Sequence, residues 1–532
     1  MGKKILMILV VIPMLFLGDL WAETQEVKYS IELNPKSMDP GLNEDGMTYS
    51  ILLNMYEPLI YVNTDGTVRP AAAESWTISK DGRVYTFKIR SNAKWSDGKA
   101  LTANDFEYAW KRAVKPSFGS GFSYKFNYLK NGKKIADEKA DANTLGVKAI
   151  DKKTLQVTLE EPTSFILSIM ALNIFYPVRE DMAKAHPDKW TFNGKTTLTN
   201  GAFKLERWVQ NEEVVITKNK HFWDADNIKL EKISYIIITD SSTALTAYEA
   251  GQLDGCDKVP ASEVPRLLSE LPEFKIQPAL RTAYLEFNTT KPPFNDINVR
   301  KAFSYAIDRR AITRKVTRAG EKPATGIVPF GIKLGGRDFR KAGGTYGIDP
   351  RKARVKEARE YLAKAGYPGG KGFPAIKLHV FSANDVVQIG EVLMEMWKKN
   401  LQLKDIGLLP QEENVHYDQL IAGDYQVGYA SWGGDYYHPL TFLDMWIKGS
   451  GFNETGYYDT KYDAMIAKAK TTLDVQKSME ILHKAEDRWM SFHAIAPLFY
   501  SGITVLEKPY LKNVITTVLD ERFFHRAYIE GR

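Results

Sequence analysis

The segment from Asp81 to Arg112 constrains the fold of this chain more than any other stretch. Its first half places apolar residues at every second position: Tyr85, Phe87 and Ile89. This period-2 pattern is typical of a half-buried strand. Trp95 then opens a turn, and Thr102 precedes a run whose apolar residues, Phe106, Ala109 and Trp110, recur at helical spacing. The segment therefore predicts a strand, a turn anchored by a tryptophan and a helix capped by Thr102.

The length of the chain and the order of its elements predict several lobes that share their segments. A chain of 532 residues is too long for one hydrophobic core. No internal repeat or low-complexity linker separates one part from the next. Further elements are predicted as a hairpin around 151–153, a buried strand at 233–238, and helices at 243–250, 298–316, from Asp349-Pro350 to Gly366, and at 389–401. Their irregular alternation favours α/β and α+β lobes over a barrel or a bundle.

The amino terminus predicts export. Lys3 and Lys4 precede an apolar stretch from Ile5 to Leu17, and Ala22 offers a small residue for cleavage, so residues 1–22 are predicted to be a signal peptide. A membrane anchor is the less favoured interpretation, because the apolar stretch falls short of the span of about 20 residues that a bilayer requires. No cysteine lies near the cleavage site, which predicts a free periplasmic protein rather than a lipid-anchored one. Cys256 is the only cysteine; it excludes an intramolecular disulfide and is expected to be buried.

Composition and motifs argue against several classes of function. The chain is 44% hydrophobic and 26% charged, which is ordinary for a soluble globular protein. Its net charge is +7, and no five consecutive residues carry the same charge, so nucleic-acid binding is not expected. No metalloprotease or serine-hydrolase motif occurs, and the eight histidines lack metal-ligand spacing. The sequence Gly366 to Lys371 departs from a phosphate loop and is interpreted as a helix C-cap and turn. We therefore expect no enzyme activity, no cofactor and no metal.

The segment from Tyr425 to Asp435 is the sharpest candidate for a binding site. It is predicted to be a strand ending at Trp432, followed by Gly433 and Gly434. The two glycines are expected to let a ligand backbone approach, because no Cβ stands in the way. Asp435 comes next, at the mouth of the strand; from this string alone it could equally be a turn or N-cap residue.

Several segments together resemble the family 5 solute-binding proteins, the extracytoplasmic receptors of oligopeptide and dipeptide ABC importers. The resemblance rests on Asp81–Arg112 and on four further segments: 221–224, 284–288, 293–302 and 432–443. It implies a type II-like periplasmic-binding-protein fold of two α/β lobes, joined by a hinge of two strands, with an additional inserted α+β domain. Lobe I would comprise residues 23–57, 183–286 and 504–532, the inserted domain 58–182 and lobe II 287–503.

The same resemblance implies roles for individual residues. Asp435 would pair with the α-ammonium of a peptide that lies as an added β-strand, since a charge-assisted hydrogen bond in a closed cleft is strong. Trp432 matches a pocket position, whereas Trp446 is assigned to the core. Glu44 matches an acidic residue of the cleft, with a solvated loop glutamate as the alternative. One aromatic of the inserted domain would contact the ligand, and the candidates are Phe122, Tyr124, Phe126 and Tyr128; alternating aromatics are also typical of one face of a strand.

Two departures leave the carboxyl end of the ligand open. Tyr429 and Val386 stand where well-known oligopeptide binders place an arginine and a histidine that meet ligand carboxylates. Either that terminus is held elsewhere or the ligand differs in length or chemistry.

The sequence as a whole predicts the monomeric periplasmic subunit of an ABC importer, which binds short peptides and docks on a membrane permease. The alternative within the same fold is a non-peptide solute or a special peptide: a nickel chelate, an opine, a sugar or a cell-wall peptide. A periplasmic hydrolase or a peptide-holding chaperone is the alternative from another class, and no sequence feature favours either.

Overall fold

The fold is given by a computed structural model that describes residues 24–187 and 189–532. The predicted signal peptide, residues 1–22, lies outside the described residues. Within the described ranges no helix has the length and apolar character needed to cross a bilayer. The predicted borders of lobe I, the inserted domain and lobe II serve below as names for these regions, and the borders themselves stay a prediction.

The chain enters through lobe I and continues into the inserted domain. Lobe I begins with β1 (Glu26–Ile31) and α1 (Gly46–Met55). The inserted domain contains β2 (Ile60–Val62), β3 (Val68–Pro70), β4 (Ala73–Ile78), β5 (Val84–Ile89), α2 (Ala103–Ala113), α3 (Gly132–Ala136), β6 (Val147–Asp151), β7 (Thr154–Thr158) and α4 (Ile166–Met170). Its main sheet has the antiparallel order β4-β5-β7-β6.

The chain then returns to lobe I. The returning elements are α5 (Glu180–Ala185), β8 (Phe203–Val209), β9 (Glu213–Lys218), β10 (Lys232–Ile237), α6 (Ser241–Glu249), β11 (Gly255–Cys256), α7 (Val264–Glu270) and β12 (Lys275–Phe287). In the sheet of lobe I, β1 lies between β10 and β11 and pairs parallel with both.

Lobe II contains most of the helices. Its elements are α8 (Ile297–Tyr305), α9 (Arg309–Ala311), β13 (Lys322–Pro323), β14 (Lys333–Leu334), β15 (Arg337–Asp338), α10 (Phe339–Ala342), α11 (Val355–Lys364), β16 (Ile376–Phe381), α12 (Asn384–Leu401), β17 (Ile406–Gln411), α13 (Glu413–Ile421), β18 (Val427–Gly433), α14 (Leu440–Leu443), α15 (Thr460–Thr471), α16 (Val475–Ser491) and β19 (Ile495–Glu507). Four short strands close the chain: β20 (Leu511–Lys512), β21 (Ile515–Thr516), β22 (Arg522–Phe523) and β23 (Tyr528–Ile529).

Two long strands connect the lobes. β12 and β19 are antiparallel neighbours of 13 residues each, and one continuous sheet order, β17-β16-β18-β12-β19-β11-β1-β10-β9-β8, runs through them. Their pairing shifts register between Pro278 and Thr282. A break in the ladder is the place where two paired strands bend most easily. The two-stranded connection expected for this fold is therefore present, with its irregularity at 278–282.

The segment from Asp81 to Arg112 folds as predicted. Phe87 and Trp110 are both fully buried, on β5 and α2. Thr102 caps α2 together with Asp105, whose carboxylate accepts a hydrogen bond from the Thr102 backbone N–H at 2.8 Å and from Trp95 Nε1 at 3.2 Å. The Asp105 carboxylate thus binds both the turn at Trp95 and the start of the helix at Thr102. The number of residues between these three positions is therefore fixed by the local structure. The predicted hairpin forms as β6 and β7, and the helix at 243–250 as α6.

Two helix predictions need correction. The helix expected over 298–316 is interrupted after Tyr305, because Asp308 caps a new turn by accepting from the Ala311 N–H, and a π-helix, Ile312–Thr317, follows. The helix expected to start at Asp349-Pro350 begins only at Val355. Asp349 instead accepts from the Arg351 N–H at 2.9 Å and so stabilises a separate turn. Both differences arise because an aspartate that can cap a helix can equally cap a short turn.

Among the residues that the structure describes, three hydrophobic clusters stabilise the fold. The largest spans lobe I, the inserted domain and the part of lobe II around Trp446 and Trp489, and the second lies under the sheet of lobe II. The third surrounds Cys256, which is 1% exposed. The expectations that Cys256 and Trp446 are buried are confirmed. The largest cluster is continuous across all three regions, so the inserted domain is held on lobe II as well as on lobe I.

A buried carboxyl group in lobe I, that of Glu57, is expected to make the free energy of unfolding depend on pH. Glu57 is 2% exposed, and Trp223 Nε1 lies 2.9 Å and 3.1 Å from its two carboxyl oxygens. Burial raises the pKa of Glu57 to about 8, so the folded chain keeps this group protonated at neutral pH. Its stabilising contribution is present below the unfolded pKa and is lost as the pH rises through 8. We expect Glu57→Gln to match the wild type at pH 5 and to exceed its free energy of unfolding at pH 9 by a few kcal/mol, measured by urea unfolding.

The control for this experiment is Glu180→Gln, which changes a half-exposed carboxylate that pairs with Lys184. Its difference from the wild type should stay small and flat over the same range. A constant deficit of Glu57→Gln at all pH values would contradict the assignment.

Candidate functional site

The candidate site lies where the carboxyl end of β18 meets the connecting strands and the inserted domain. The Gly434 N–H donates to the Leu280 carbonyl on β12 at 2.7 Å. Trp432 Nε1 donates to the Thr441 carbonyl at 2.7 Å, and the Asp435 N–H donates to Thr441 Oγ1 at 2.9 Å. Thr441 and β12 thus fix the turn from Trp432 to Asp435, and the predicted strand is confirmed as β18, which ends at Gly433.

The Asp435 carboxylate is already paired within the chain. Its Oδ2 accepts from Lys125 Nζ at 2.6 Å and from the Tyr124 hydroxyl at 2.9 Å. The Asp435 side chain is 21% exposed and that of Lys125 only 2%. Because Lys125 belongs to the inserted domain and Asp435 to lobe II, this ion pair joins the two regions.

Aromatic rings complete the surroundings of the Lys125 ammonium. Its Nζ lies 4.5 Å from the centre of the Tyr124 ring and 5.0 Å from that of Tyr436. Ring faces attract cations, and the attraction grows when water is excluded. One carboxylate and two rings therefore form a site for an ammonium group. Neither Lys125 nor Tyr436 was predicted from the sequence.

A small cavity of about 40 Å³ is lined in part by Tyr436, whose ring also lies near the Lys125 ammonium. Tyrosines from all three regions line it: Tyr49 from lobe I, Tyr61 and Tyr176 from the inserted domain, and Tyr436 and Tyr437 from lobe II. Glu521 also lines it, and burial raises the pKa of this carboxyl to about 7. Near neutral pH Glu521 can thus donate as well as accept a hydrogen bond. The cavity shows that lobe I, the inserted domain and lobe II meet at Tyr436, the residue after Asp435.

Gly433 and Gly434 lie close to side chains of the protein. A Cβ on Gly433 would meet Arg281 Nη2 at 3.2 Å, and one on Gly434 would meet Phe442 and Thr441 side-chain atoms at 3.1 Å. The space that the missing side chains leave is therefore filled by the protein itself. Both glycines thus make room for neighbouring side chains, and the approach of a ligand backbone to them stays a prediction.

Tyr429 lies apart from Asp435. Tyr429 is buried beneath the lobe II sheet, with its ring centre 5.8 Å from that of Phe381, and its carbonyl accepts from His416 Nε2 at 2.8 Å. Trp432, three positions later, turns to the opposite face of β18, since successive side chains alternate. Val386 is buried in the same cluster as Tyr429. The structure therefore joins Tyr124 and Asp435 by a hydrogen bond and links Trp432 to Asp435 through Thr441, whereas the Tyr429 side chain lies on the other face of β18 from Trp432.

Glu44 contacts the loop that leads to Tyr124. It is exposed, and its carboxylate accepts from the Gly121 N–H at 2.5 Å. The aromatic segment beyond that loop, Ser123–Tyr128, is a 3-10 helix and not the strand that alternation suggested. With three residues per turn, alternate aromatics point in different directions. Tyr124 therefore reaches Asp435, while Phe126 is buried in the core.

Arg281 supplies a cation that sequence reasoning missed. It lies on β12 in register with Gly433, its side chain is exposed, and its Nη1 is 3.5 Å from Ser431 Oγ. Gly433, its register partner, lies four positions after Tyr429 on β18, so Arg281 is on the same face of the sheet as Tyr429. A positive charge thus lies on the same face of the sheet as the position where the family arginine is absent. Only the register of β12 against β18 reveals it, and register is not readable from either strand alone.

The described residues contain no group of three or more His, Cys, Asp and Glu side chains that could hold a metal ion.

Comparisons with known proteins agree on one family. The profile of the bacterial extracellular solute-binding proteins, family 5 Middle, matches residues 67–454. The chain is 33% identical to the oligopeptide-binding protein OppA of Bacillus subtilis (strain 168), over 94% of this chain and 92% of that protein. It is 32% identical to the probable deoxycholate-binding periplasmic protein YgiS of Escherichia coli (strain K12), over 92% and 90%. The unliganded open form of the periplasmic murein tripeptide binding protein MppA matches with a TM-score of 0.81 and 31% identity, over 96% of this chain and 98% of that one.

Proposed function

The chain belongs to family 5 of the bacterial extracellular solute-binding proteins, and we propose that within this family it captures short peptides between its lobes for an ABC importer. It is a solute-binding protein rather than an enzyme, and its mixed α/β fold is that of the peptide-binding relatives. The observation that carries the proposal is the contact of the inserted domain with lobe II at one polar end group, Asp435, which follows the Gly434 that bonds to the connecting strand β12.

A peptide would lie in the cleft as an added strand. Main-chain hydrogen bonds would supply affinity without reading side chains, and water in the pockets would tolerate variation among them. Bending of β12 and β19 at 278–282 would bring the lobes together around it. The contact of Asp435 with a ligand ammonium stays a prediction, because this carboxylate accepts a hydrogen bond from Lys125 Nζ at 2.6 Å.

The cell location and partners follow from the same proposal. Relatives carry the word periplasmic in their names, and the signal peptide predicted at 1–22 would export this chain as a free, not lipid-anchored, monomer. The closed complex would then dock on a membrane permease.

Arg281 is proposed to hold the carboxylate end of the ligand. Arg281→Ala should weaken binding of a peptide with a free carboxylate about tenfold, since an exposed guanidinium forms a charge-assisted contact of modest strength. The same peptide with an amidated end should bind both proteins equally. Calorimetry at low salt measures both, and Arg207→Ala, a half-exposed arginine of lobe I, is the matched control. An equal loss with the amidated peptide would show that Arg281 acts through packing instead.

The proposed function is tested by thermal shift and calorimetry with peptides of about two to six residues. We expect one length class to bind and to raise the melting temperature. A second candidate, a non-peptide solute, is favoured by the pairing of Asp435 within the chain and by the relative named as deoxycholate-binding. Stabilisation by a bile acid and by no peptide would replace the first candidate with the second.

A further inference from the structure

The buried ion pair between Lys125 and Asp435 bears on which peptides can bind. Lys125 is 2% exposed, and its Nζ lies 2.6 Å from Asp435 Oδ2, with the rings of Tyr124 and Tyr436 around it. A carboxylate with aromatic neighbours is the set of groups that would hold the α-ammonium of a peptide. Here the side chain of the protein itself provides that ammonium.

A free ligand ammonium would gain little at this place. It would have to share a carboxylate that Lys125 already neutralises, or expel a lysine whose tether keeps its local concentration high. If the ligand ammonium shares Asp435 with Lys125, two positive charges repel each other in a site with little water. Whether Lys125 stays or is expelled, one ammonium loses its water without gaining a carboxylate of its own. A neutral group in the same position meets neither cost.

We propose that Lys125 is a built-in substitute for the ligand ammonium, so that the cleft selects peptides whose amino end is acylated and therefore neutral. This inference rests on the proposed function and names the class of peptide that the site takes. Lys125 thus acts as a specificity-determining residue: it rejects a free amine by occupying Asp435.

The test compares one peptide in two forms, with a free and with an acetylated amino end, by calorimetry at about pH 7, where a free α-amino group is mostly protonated. The peptide is the tightest binder found in the length series, and each form is titrated into the full-length exported protein. We expect the wild type to bind the acetylated form about tenfold more tightly. Lys125→Met should reverse this preference to about tenfold in favour of the free amine, because it leaves Asp435 open to the ligand ammonium.

Two control variants accompany the experiment. Lys125→Arg keeps a cation beside Asp435 and should retain the wild-type preference. Lys111→Met removes a lysine that pairs with Glu107 on α2 of the same domain and should not change the ratio. The ratio of the two affinities in the wild type can be measured even if a variant fails to fold.

Each outcome has one meaning. A wild type that prefers the free amine, or a preference that Lys125→Met leaves unchanged, would overturn the inference and leave peptide binding intact. Binding of neither form, nor of any peptide in the series, would remove the proposed function together with the inference.

Discussion

Asp435→Ala is expected to lower the free energy of unfolding by about 3 kcal/mol, because it leaves a buried ammonium without its carboxylate. Lys125 is the group left behind, and its 2% exposure gives water little access to replace the lost partner. Urea unfolding followed by tryptophan fluorescence measures the change. The free energy of unfolding should fall by far more than the roughly 0–1 kcal/mol that a surface ion pair contributes.

A second substitution separates the ion pair from other effects of the alanine. The double variant Lys125→Met/Asp435→Ala should recover most of the loss, since no charge is then buried alone. Asp137→Ala, which breaks a more exposed pair with Lys133 in the same domain, is the matched control and should change stability by less than about 1 kcal/mol. Equal losses in the single and the double variant would show that Lys125 does not depend on Asp435.

Glu486→Ala is expected to have a comparable or larger effect, about 3–5 kcal/mol. The Glu486 carboxylate is fully buried on α16 and accepts four hydrogen bonds at 2.7–3.1 Å, from Arg340 Nη1, the Tyr346 hydroxyl and the N–H groups of Ile327 and Val328. Its removal would leave the Arg340 guanidinium, 1% exposed, without its carboxylate.

The effect should reach the connecting strands. The Ile327 carbonyl accepts from Thr282 Oγ1 on β12 at 2.8 Å, so Glu486 helps to hold this segment against the hinge region. Hydrogen exchange at 324–346 should become faster in the variant. Glu480→Ala, at an exposed position of the same helix, is the control. A loss below about 1 kcal/mol would contradict the role given to this carboxylate.

Features set by neighbouring residues could be predicted from the sequence. The alternation of Tyr85, Phe87 and Ile89 and the cap formed by Thr102 and Asp105 depend on contacts within a few positions, and both are present. Local patterns failed where one residue type serves two local structures. Asp308 and Asp349 each cap a turn where a continuous helix or a helix start was expected.

Which residues meet at the site depends on contacts between distant parts of the sequence, and these cannot be predicted from local patterns. Lys125 and Asp435 are 310 positions apart and meet only because the inserted domain packs on lobe II. Arg281 stands beside Gly433 through strand register, and the space next to that glycine is filled from another strand. The family resemblance identified Asp435 as a polar anchor, but only the folded chain shows which ammonium it holds.

The central claim is that the cleft between the lobes takes up short peptides. Native mass spectrometry of the protein exported to the periplasm, followed by denaturation and sequencing of whatever is released, tests it most directly. The account predicts a series of short-peptide masses bound one per chain. A single defined non-peptide mass would keep the family and contradict the peptide assignment.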